Sequence, residues 1–297
     1  MNILVTGGSG FIGSHIVDKL VKQGYKVRVF DERKPLREDV EWFKGTLLNE
    51  NNVLEACKNI EFVYHLAAVA DVNIAISHPA LCLQVNEIGT LNLLNAATAM
   101  EAERVILAST TWVYGKAEGT VDENSPIPPP DHIYTKTKIG QEHLFIAWHE
   151  HTALPYTILR YGIPYGPRMR TNMAIAIFVR KAMRGENITI FGDGTQGRCF
   201  IYVEDLAEGN VAALKKTAEN QIINLAGAQF VTLNHIAEGL RENFNELKVE
   251  YAPPRPHDFK GAIISIEKAR QLLNWEPKTT FRQGLKKFII YMQSQKV

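Results

Sequence analysis

Tyr134 and Lys138 stand four residues apart in a stretch, 132–150, whose pattern predicts a helix, so both side chains leave one face about a turn apart. An ammonium beside a phenol favours the phenolate and lowers a pKa that is otherwise about 10. Such a pair can remove a hydroxyl proton while hydride leaves the same carbon for a nicotinamide, and the lysine can also hydrogen-bond a cofactor ribose. Ser109-Thr110-Thr111 adds hydroxyls at the end of the strand-like run 104–109, the edge at which parallel α/β sheets place their chemistry. Taken singly, each feature has a plainer reading: a polar pair on a helix surface, an ordinary strand terminus.

Chemistry of that kind needs a bound dinucleotide, and the chain opens on a segment suited to one. The strand-like Asn2-Ile3-Leu4-Val5 runs into Thr6-Gly7-Gly8-Ser9-Gly10-Phe11-Ile12-Gly13, and an amphipathic stretch, 11–22, follows. That order presents a helix N-terminus to a pyrophosphate. Gly7 permits the tight turn, Gly10 lets phosphate approach the backbone, and Gly13 lets the helix pack closely on the strand. The next strand, 26–31, ends at Asp31, about 20 residues beyond the last glycine, where a carboxylate accepts hydrogen bonds from ribose hydroxyls. A carboxylate there repels a 2′-phosphate, so NAD is expected rather than NADP. Arg33 and Lys34 follow closely and counter part of that charge.

The elements that must position these residues alternate along the first half. Strands are expected at 2–6, 26–31, 41–45, 61–66, 104–109 and 155–160, helices at 11–22, 50–58, 77–100 and 132–150. Such alternation implies right-handed crossovers and an α/β protein with a doubly wound parallel Rossmann sheet. After Gly166-Pro167 the texture changes to helix 172–184, strand 188–191, the turn Gly192-Asp193-Gly194 and several short elements. These read as a smaller mixed α/β C-terminal substrate lobe. Gln221 to Leu225 reads as one more buried strand returning to the parallel sheet. The domains are therefore expected to be discontinuous. Residues 1–167 plus about 200–227 form the NAD-binding unit, and about 168–199 plus 228–297 the substrate lobe.

Composition narrows the partners. A formal charge of +1 over 297 residues, with no basic run, argues against nucleic acid or an anionic membrane surface. Cys57, Cys82 and Cys199 are scattered, without metal-ligand spacing, and suit reduced thiols. No signal-like segment precedes the first strand, and no apolar run is long enough to cross a bilayer. A cytoplasmic protein with no metal is expected.

Nearly the whole chain resembles the extended short-chain dehydrogenase/reductase superfamily, and within it the NAD-dependent epimerase/dehydratase family of nucleotide-sugar enzymes. The resemblance is carried by Thr6 to His15, His65-Leu66-Ala67-Ala68, Asn86 with Gly89-Thr90, and Ser109-Thr110 with Val113-Tyr114-Gly115. It continues through Tyr134 and Lys138, Arg160-Tyr161, Tyr165-Gly166-Pro167-Arg168, Arg198, Phe200 to Leu206, and Arg255-Pro256 with Asp258. Position by position, it implies that Thr110 is the catalytic hydroxyl, Tyr134 the base and Lys138 the ribose-binding lysine. It implies cofactor contacts from Gly7, Gly10, Phe11, Ile12, Gly13, Asp31, Ala67 and Asn86. It also implies substrate contacts from Thr110, Arg198 and Arg255, the two arginines meeting a nucleotide diphosphate, a UDP-sugar by preference.

The same resemblance discriminates between reactions. Dehydratases of this type follow the threonine with Asp-Glu, and decarboxylating relatives carry Glu two positions after it. Here Thr111 and Trp112 occupy those places, and neither is a carboxylic acid. The remaining chemistry is hydride and proton shuttling, with 4-epimerisation of a UDP-hexose through a 4-keto intermediate as the expectation. The alternatives are a nucleotide-sugar 4-ketoreductase, an epimerase at another carbon and, from a different class, a non-catalytic NAD-sensing regulator. Trp112 reads either as packing or as a wall of the sugar site. Ala262 matches the position that adjusts room for the C2 substituent. Gly162-Ile163 stands where the family has Phe-Asn, Thr46 where it has an adenine-contacting Asp, Cys199 where it has an Asp after Arg198, and His257 where it has a Gly before Asp258. The resemblance further implies a homodimer through helices 77–100 and 132–150, with Leu91, Leu94, Leu144, Phe145 and Trp148 as compatible positions.

Overall fold

A computed structural model describes residues 1–254 and 260–295. Arg255, with Pro256, His257 and Asp258, lies outside the described residues. The apolar runs pair as strands β1 (Asn2–Thr6), β2 (Lys26–Asp31), β3 (Glu41–Lys44), β4 (Phe62–His65), β5 (Arg104–Thr110), β6 (Tyr156–Tyr161) and β7 (Gln221–Leu225). They form one sheet in the order β7-β6-β5-β4-β1-β2-β3, with every neighbouring pair parallel. The strand order reverses between β1 and β4, and the crevice above such a switch is where doubly wound sheets take ligands.

Eleven α-helices are described: α1 (Phe11–Lys22), α2 (Glu50–Ala56), α3 (Val72–Ser77), α4 (Pro79–Leu83), α5 (Gly89–Ala99), α6 (Ile133–Thr152), α7 (Ala174–Met183), α8 (Val203–Ala212), α9 (Leu233–Arg241), α10 (Glu267–Leu273) and α11 (Phe281–Ser294). Parallel strands need cover on both faces, and the core divides accordingly. Ile16, Leu20, Leu206 and Ala269 from α1, α8 and α10 pack on Ile3, Val5, Tyr64 and Ile106. Val53, Leu93, Leu94 and Phe145 from α2, α5 and α6 pack on Leu4, Val63, Val105 and Leu107 beneath. A further core joins α7, α9 and α11 to the parallel pair 188–191 and 249–252 through Val179, Ile188, Ile190, Ile236 and Phe288.

Two expectations are corrected here. The helix read at 77–100 is not one regular helix. Pro79, which pre-sets its own φ and lacks an N–H, starts α4, a short α3 precedes it, and a π-helical turn, Gln84–Ile88, separates α4 from α5. Leu94 and Phe145 were compatible with a dimer face, but each is almost wholly buried against the chain's own sheet. Among the described residues, no helix is long and apolar enough to cross a membrane.

Candidate active site

The turn between β1 and α1 is shaped by close approach. Gly7 has φ +71°, and a Cβ there would sit 2.7 Å from the amide nitrogen of Ala67. A methyl at Gly13 would collide with the Gly7 carbonyl oxygen, so α1 rests directly on the turn. Gly10 caps α1 without a side-chain bond, and no acidic residue stands in the first turn. The backbone amides opening α1 are therefore presented to an anion. Asp31, at the end of β2, is held in place by the amides of Ser9 and Arg33, each donating to it at 3.0 Å. This cradle, with a fixed carboxylate on its rim, fits a dinucleotide. The side chains of Phe11 and Ile12 pack into apolar clusters, so these residues face the turn with their backbone.

Beneath the cradle lies a circuit of neutral polar groups. Thr90 donates to the Asn86 carbonyl at 2.5 Å and accepts from Gln141 Nε2 at 2.6 Å. The contact of Thr90 Oγ1 with His65 Nε2 at 2.8 Å assigns the ring proton to Nε2. His65 Nδ1 then accepts from Thr6 Oγ1 at 3.0 Å, and Thr6 in turn accepts from the amides of Leu66 and Ala67 at 3.2 Å. Burial pulls the His65 pKa down to about 3, which keeps the ring neutral. Asn86, in the π turn, is fully buried and spent on protein partners. Its Oδ1 accepts from the Val69 amide, and its Nδ2 donates to the Val69 carbonyl and to Thr137. It holds the loop after β4 against α6.

A second circuit, this one ionic, lies under the end of β5. Ser109 donates to Glu142, and Glu142 pairs with Arg160 at 2.7 Å, with both charged side chains 2% exposed. Arg160 also donates to the Tyr114 hydroxyl at 3.0 Å, and Tyr114 donates to Asn224 at 2.8 Å. Adjacent strand residues face opposite ways, so with Ser109 committed to α6, Thr110 is the hydroxyl left for the site. Thr110 Oγ1 accepts from the Trp112 amide at 3.2 Å and caps the short 3₁₀ turn Thr111–Tyr114. Sequence reading did not single out Glu142, although its spacing four residues after Lys138 was an available signal.

Lys138 Nζ donates to the Ala108 carbonyl at 2.9 Å and lies 6.0 Å from the centre of the Tyr134 ring. The ammonium is thus anchored to β5, on the same helix face as the phenol. The expected lowering of the Tyr134 pKa is overturned. Burial pushes the phenol up to about 12, against the pull of the Arg170 guanidinium. Burial also pulls Lys138 down to about 8, with Glu142 acting to raise it. Desolvation of the phenol is the largest cause, and the Arg170 guanidinium offsets only part of it.

A cleft opens alongside, lined among others by Thr111, Trp112, Ile163, Arg198 and Ala262. Trp112 is 40% exposed, and its ring meets His132 edge-on at 5.0 Å; His132 in turn stacks on Tyr134 at 6.1 Å. Arg198 donates to the Gly197 carbonyl at 2.6 Å while forming part of the cleft wall. At Gly162 any side chain would strike the Cys199 carbonyl oxygen at 2.6 Å, which accounts for glycine in place of a bulkier residue.

Residues 3–226 match the profile of the NAD dependent epimerase/dehydratase family. The UDP-N-acetyl-alpha-D-glucosaminuronate decarboxylase of Bacillus cytotoxicus is 30% identical over 313 residues, covering 96% of each chain. The UDP-glucose 4-epimerase of Thermotoga maritima, solved with UDP-glucose, superposes with a TM-score of 0.93 at 34% identity, covering 99% of both chains. The UDP-glucuronic acid 4-epimerase of Bacillus cereus, solved with UDP-glucuronic acid and NAD, gives 0.91 at 31% identity, covering 99% of this chain and 100% of that one.

Proposed function

The chain belongs to the NAD-dependent epimerase/dehydratase family, and we propose that it interconverts the C4 epimers of a UDP-hexose with NAD as a recycled cofactor. The observation that carries this reading is the pairing of Tyr134 and Lys138 with a Thr110 that is followed by no carboxylate at either of the next two positions. Thr111 and Trp112 stand in the two places that elimination or decarboxylation would need to be acidic. The decarboxylase relatives share the scaffold, but decarboxylation would lack its acid here.

The amides opening α1 would hold the pyrophosphate, Asp31 one ribose and Lys138 the other. Ala67 and Asn86 would shape the wall between them. Tyr134, as phenolate, takes the proton of the sugar's C4 hydroxyl as hydride leaves that carbon, and Thr110 hydrogen-bonds the same oxygen. NAD held there would supply the hydride acceptor and donor, and its cationic ring would favour the Tyr134 phenolate. The 4-keto sugar turns over in the cleft, and Tyr134 gives the proton back after hydride reaches the opposite face. Arg198 and Arg255 are the proposed diphosphate ligands, as guanidinium forks suit phosphate oxygens. Trp112 walls the sugar, and Ala262 leaves room beside C2.

We take 1–167 with about 200–227 as the NAD-binding unit and about 168–199 with 228–297 as the substrate lobe, a division supported by β7 lying beside β6 in the large sheet. A cytoplasmic homodimer through 77–100 and 132–150 is part of the same reading. Exposed Leu81 and Ile88 on that helical run, and three free cysteines, support it. A monomer in light scattering at micromolar concentration would overturn the dimer.

The direct test is to incubate the purified protein, without added reductant, with UDP-glucose, UDP-galactose, their N-acetyl analogues and UDP-glucuronate, following anomeric signals by NMR. Interconversion of one C4 pair is expected. Turnover that requires stoichiometric reduced nicotinamide would instead identify a ketoreductase. Tyr134→Phe should lower kcat by roughly 10²- to 10⁴-fold while NAD stays bound.

A further inference from the structure

His132 is the N-cap of α6, the helix that carries Tyr134 as its second residue and Lys138 a turn later. Its backbone is extended, and its Nδ1 accepts from the Thr135 amide at 3.2 Å. A ring nitrogen that accepts must be unprotonated, so the cap requires neutral imidazole with its proton on Nε2. The same ring lies nearly parallel to Tyr134, with 17° between planes, and meets Trp112 edge-on. Trp112 in turn donates its amide to Thr110. The imidazole is therefore wedged between the turn that fixes Thr110 and the first turn of the helix that fixes Tyr134.

We propose that His132 is a positioning residue. As neutral imidazole it sets the Tyr134 phenol relative to the Thr110 hydroxyl, and its protonation below neutral pH releases the phenol. The inference rests on the reading of Tyr134 as the base. The groups facing the ring are Asp131 on its own loop, with Oδ1 3.6 Å from Nε2, Tyr134 and Thr135 on α6, and Trp112 from the 3₁₀ turn. Asp131 is the only ionised one among these, and it favours the imidazolium. Burial acts the other way and prevails, so the His132 pKa lies below its ordinary 6.5. The N-terminal end of the helix dipole also disfavours a cation at that place. An imidazolium would present an N–H to the Thr135 N–H and abolish the cap.

Asparagine caps helices well and does not titrate in this range, so His132→Asn separates capping from charge. In the wild type, kcat with UDP-galactose should fall about tenfold or more as pH drops through a midpoint below 6.5, with KM changing less than about twofold. His132→Asn should lose that acid limb, with a kcat at pH 7 between those of the wild type and His132→Ala because it keeps the cap and loses the ring contacts. His132→Ala should lose roughly 10- to 100-fold in kcat across the whole range. An acid limb that persists in His132→Asn, an unchanged kcat in His132→Ala, or an effect confined to KM overturns the proposal. A second readout needs no substrate: in the NAD-loaded protein, the Tyr134 ring resonances should shift at the His132 imidazole midpoint. Ring signals that stay fixed through that midpoint also overturn it. Tyr134→Phe distinguishes the two readings. An active Tyr134→Phe removes the base itself, whereas an inactive one beside silent His132 variants removes only the positioning role.

Discussion

Two buried circuits support the two halves of the site, and they answer to opposite ends of the pH scale. Under the nucleotide cradle, Thr6, His65, Thr90 and Gln141 exchange hydrogen bonds without a formal charge. Under the reactive edge, Ser109, Glu142, Arg160 and Tyr114 form a buried ionic chain that runs up to Lys138 through Glu142. The first circuit holds backbone in place, since Thr6 accepts from the amides of Leu66 and Ala67 beside the proposed dinucleotide cradle. The second holds a charge, since Glu142 helps keep a buried ammonium protonated. A cradle made of backbone needs rigid neutral support, whereas proton transfer needs a group poised near the working pH. Acid should therefore damage the cradle, and alkali should silence the chemistry.

The largest effect lies in the neutral circuit. His65 is held neutral with a pKa of about 3 against 6.5 in the unfolded chain, so the unfolded state binds the extra proton between those values. The stabilisation is whole above pH 6.5 and is lost as pH falls toward 3, by roughly 4–5 kcal/mol in all. Denaturant titrations of wild type and His65→Gln over that range should diverge, with the variant flatter; parallel curves would show that the ring is not held neutral. In the ionic circuit, Glu142→Ala leaves Arg160 buried without its partner, and a loss of about 3–5 kcal/mol is expected in chemical denaturation. A loss under about 1 kcal/mol would mean that water replaces the carboxylate.

Lys138 provides the sharpest contrast, because its burial opposes folding. A lysine depressed to about 8 adds stability only as pH rises from there toward 10.5, and at pH 7 the buried ammonium is a net burden. Lys138→Met should raise stability at pH 7 by roughly 2–3 kcal/mol while abolishing turnover, and in the wild type kcat should decline above about pH 8. A melting temperature that falls in this variant would contradict the assignment. The smallest effect is expected at Thr6→Val, about 1–3 kcal/mol from the Ala67 amide and His65 Nδ1 left without the hydroxyl, while the Leu66 amide keeps the Thr6 carbonyl. Calorimetric titration should show weaker NAD binding there, with kcat of the loaded enzyme nearly unchanged; the reverse pattern would merge the two circuits into one.

How much of this was legible in the sequence depends on how local each feature is. The glycine turn, the Asp31 rim and the parallel strands were readable because turn geometry and burial on both faces are written within a dozen residues. Gln221 to Leu225 was also readable as a sheet strand, since an unbroken apolar run has nowhere else to go. Tyr134 and Lys138 were legible as a pair from helical spacing, but their electrostatics were not, because desolvation depends on what surrounds them. The π turn was hidden as well, since no composition marks the extra residue that carries Asn86 inward to Val69. His132 gave no cap signal because histidine is not among the usual N-cap residues.

The sequence alone determined the fold class and the glycine turn, which follow from periodicity and backbone permissiveness, and its motifs carried the resemblance that gave the family and the proposed reactive side chains. Tertiary structure decided which of Ser109 and Thr110 faces the site, which charges are buried, and that His132 bridges Trp112 and Tyr134. Those outcomes depend on segments far apart in the chain meeting in a low-dielectric interior, where every polar group must find a partner and burial sets its pKa.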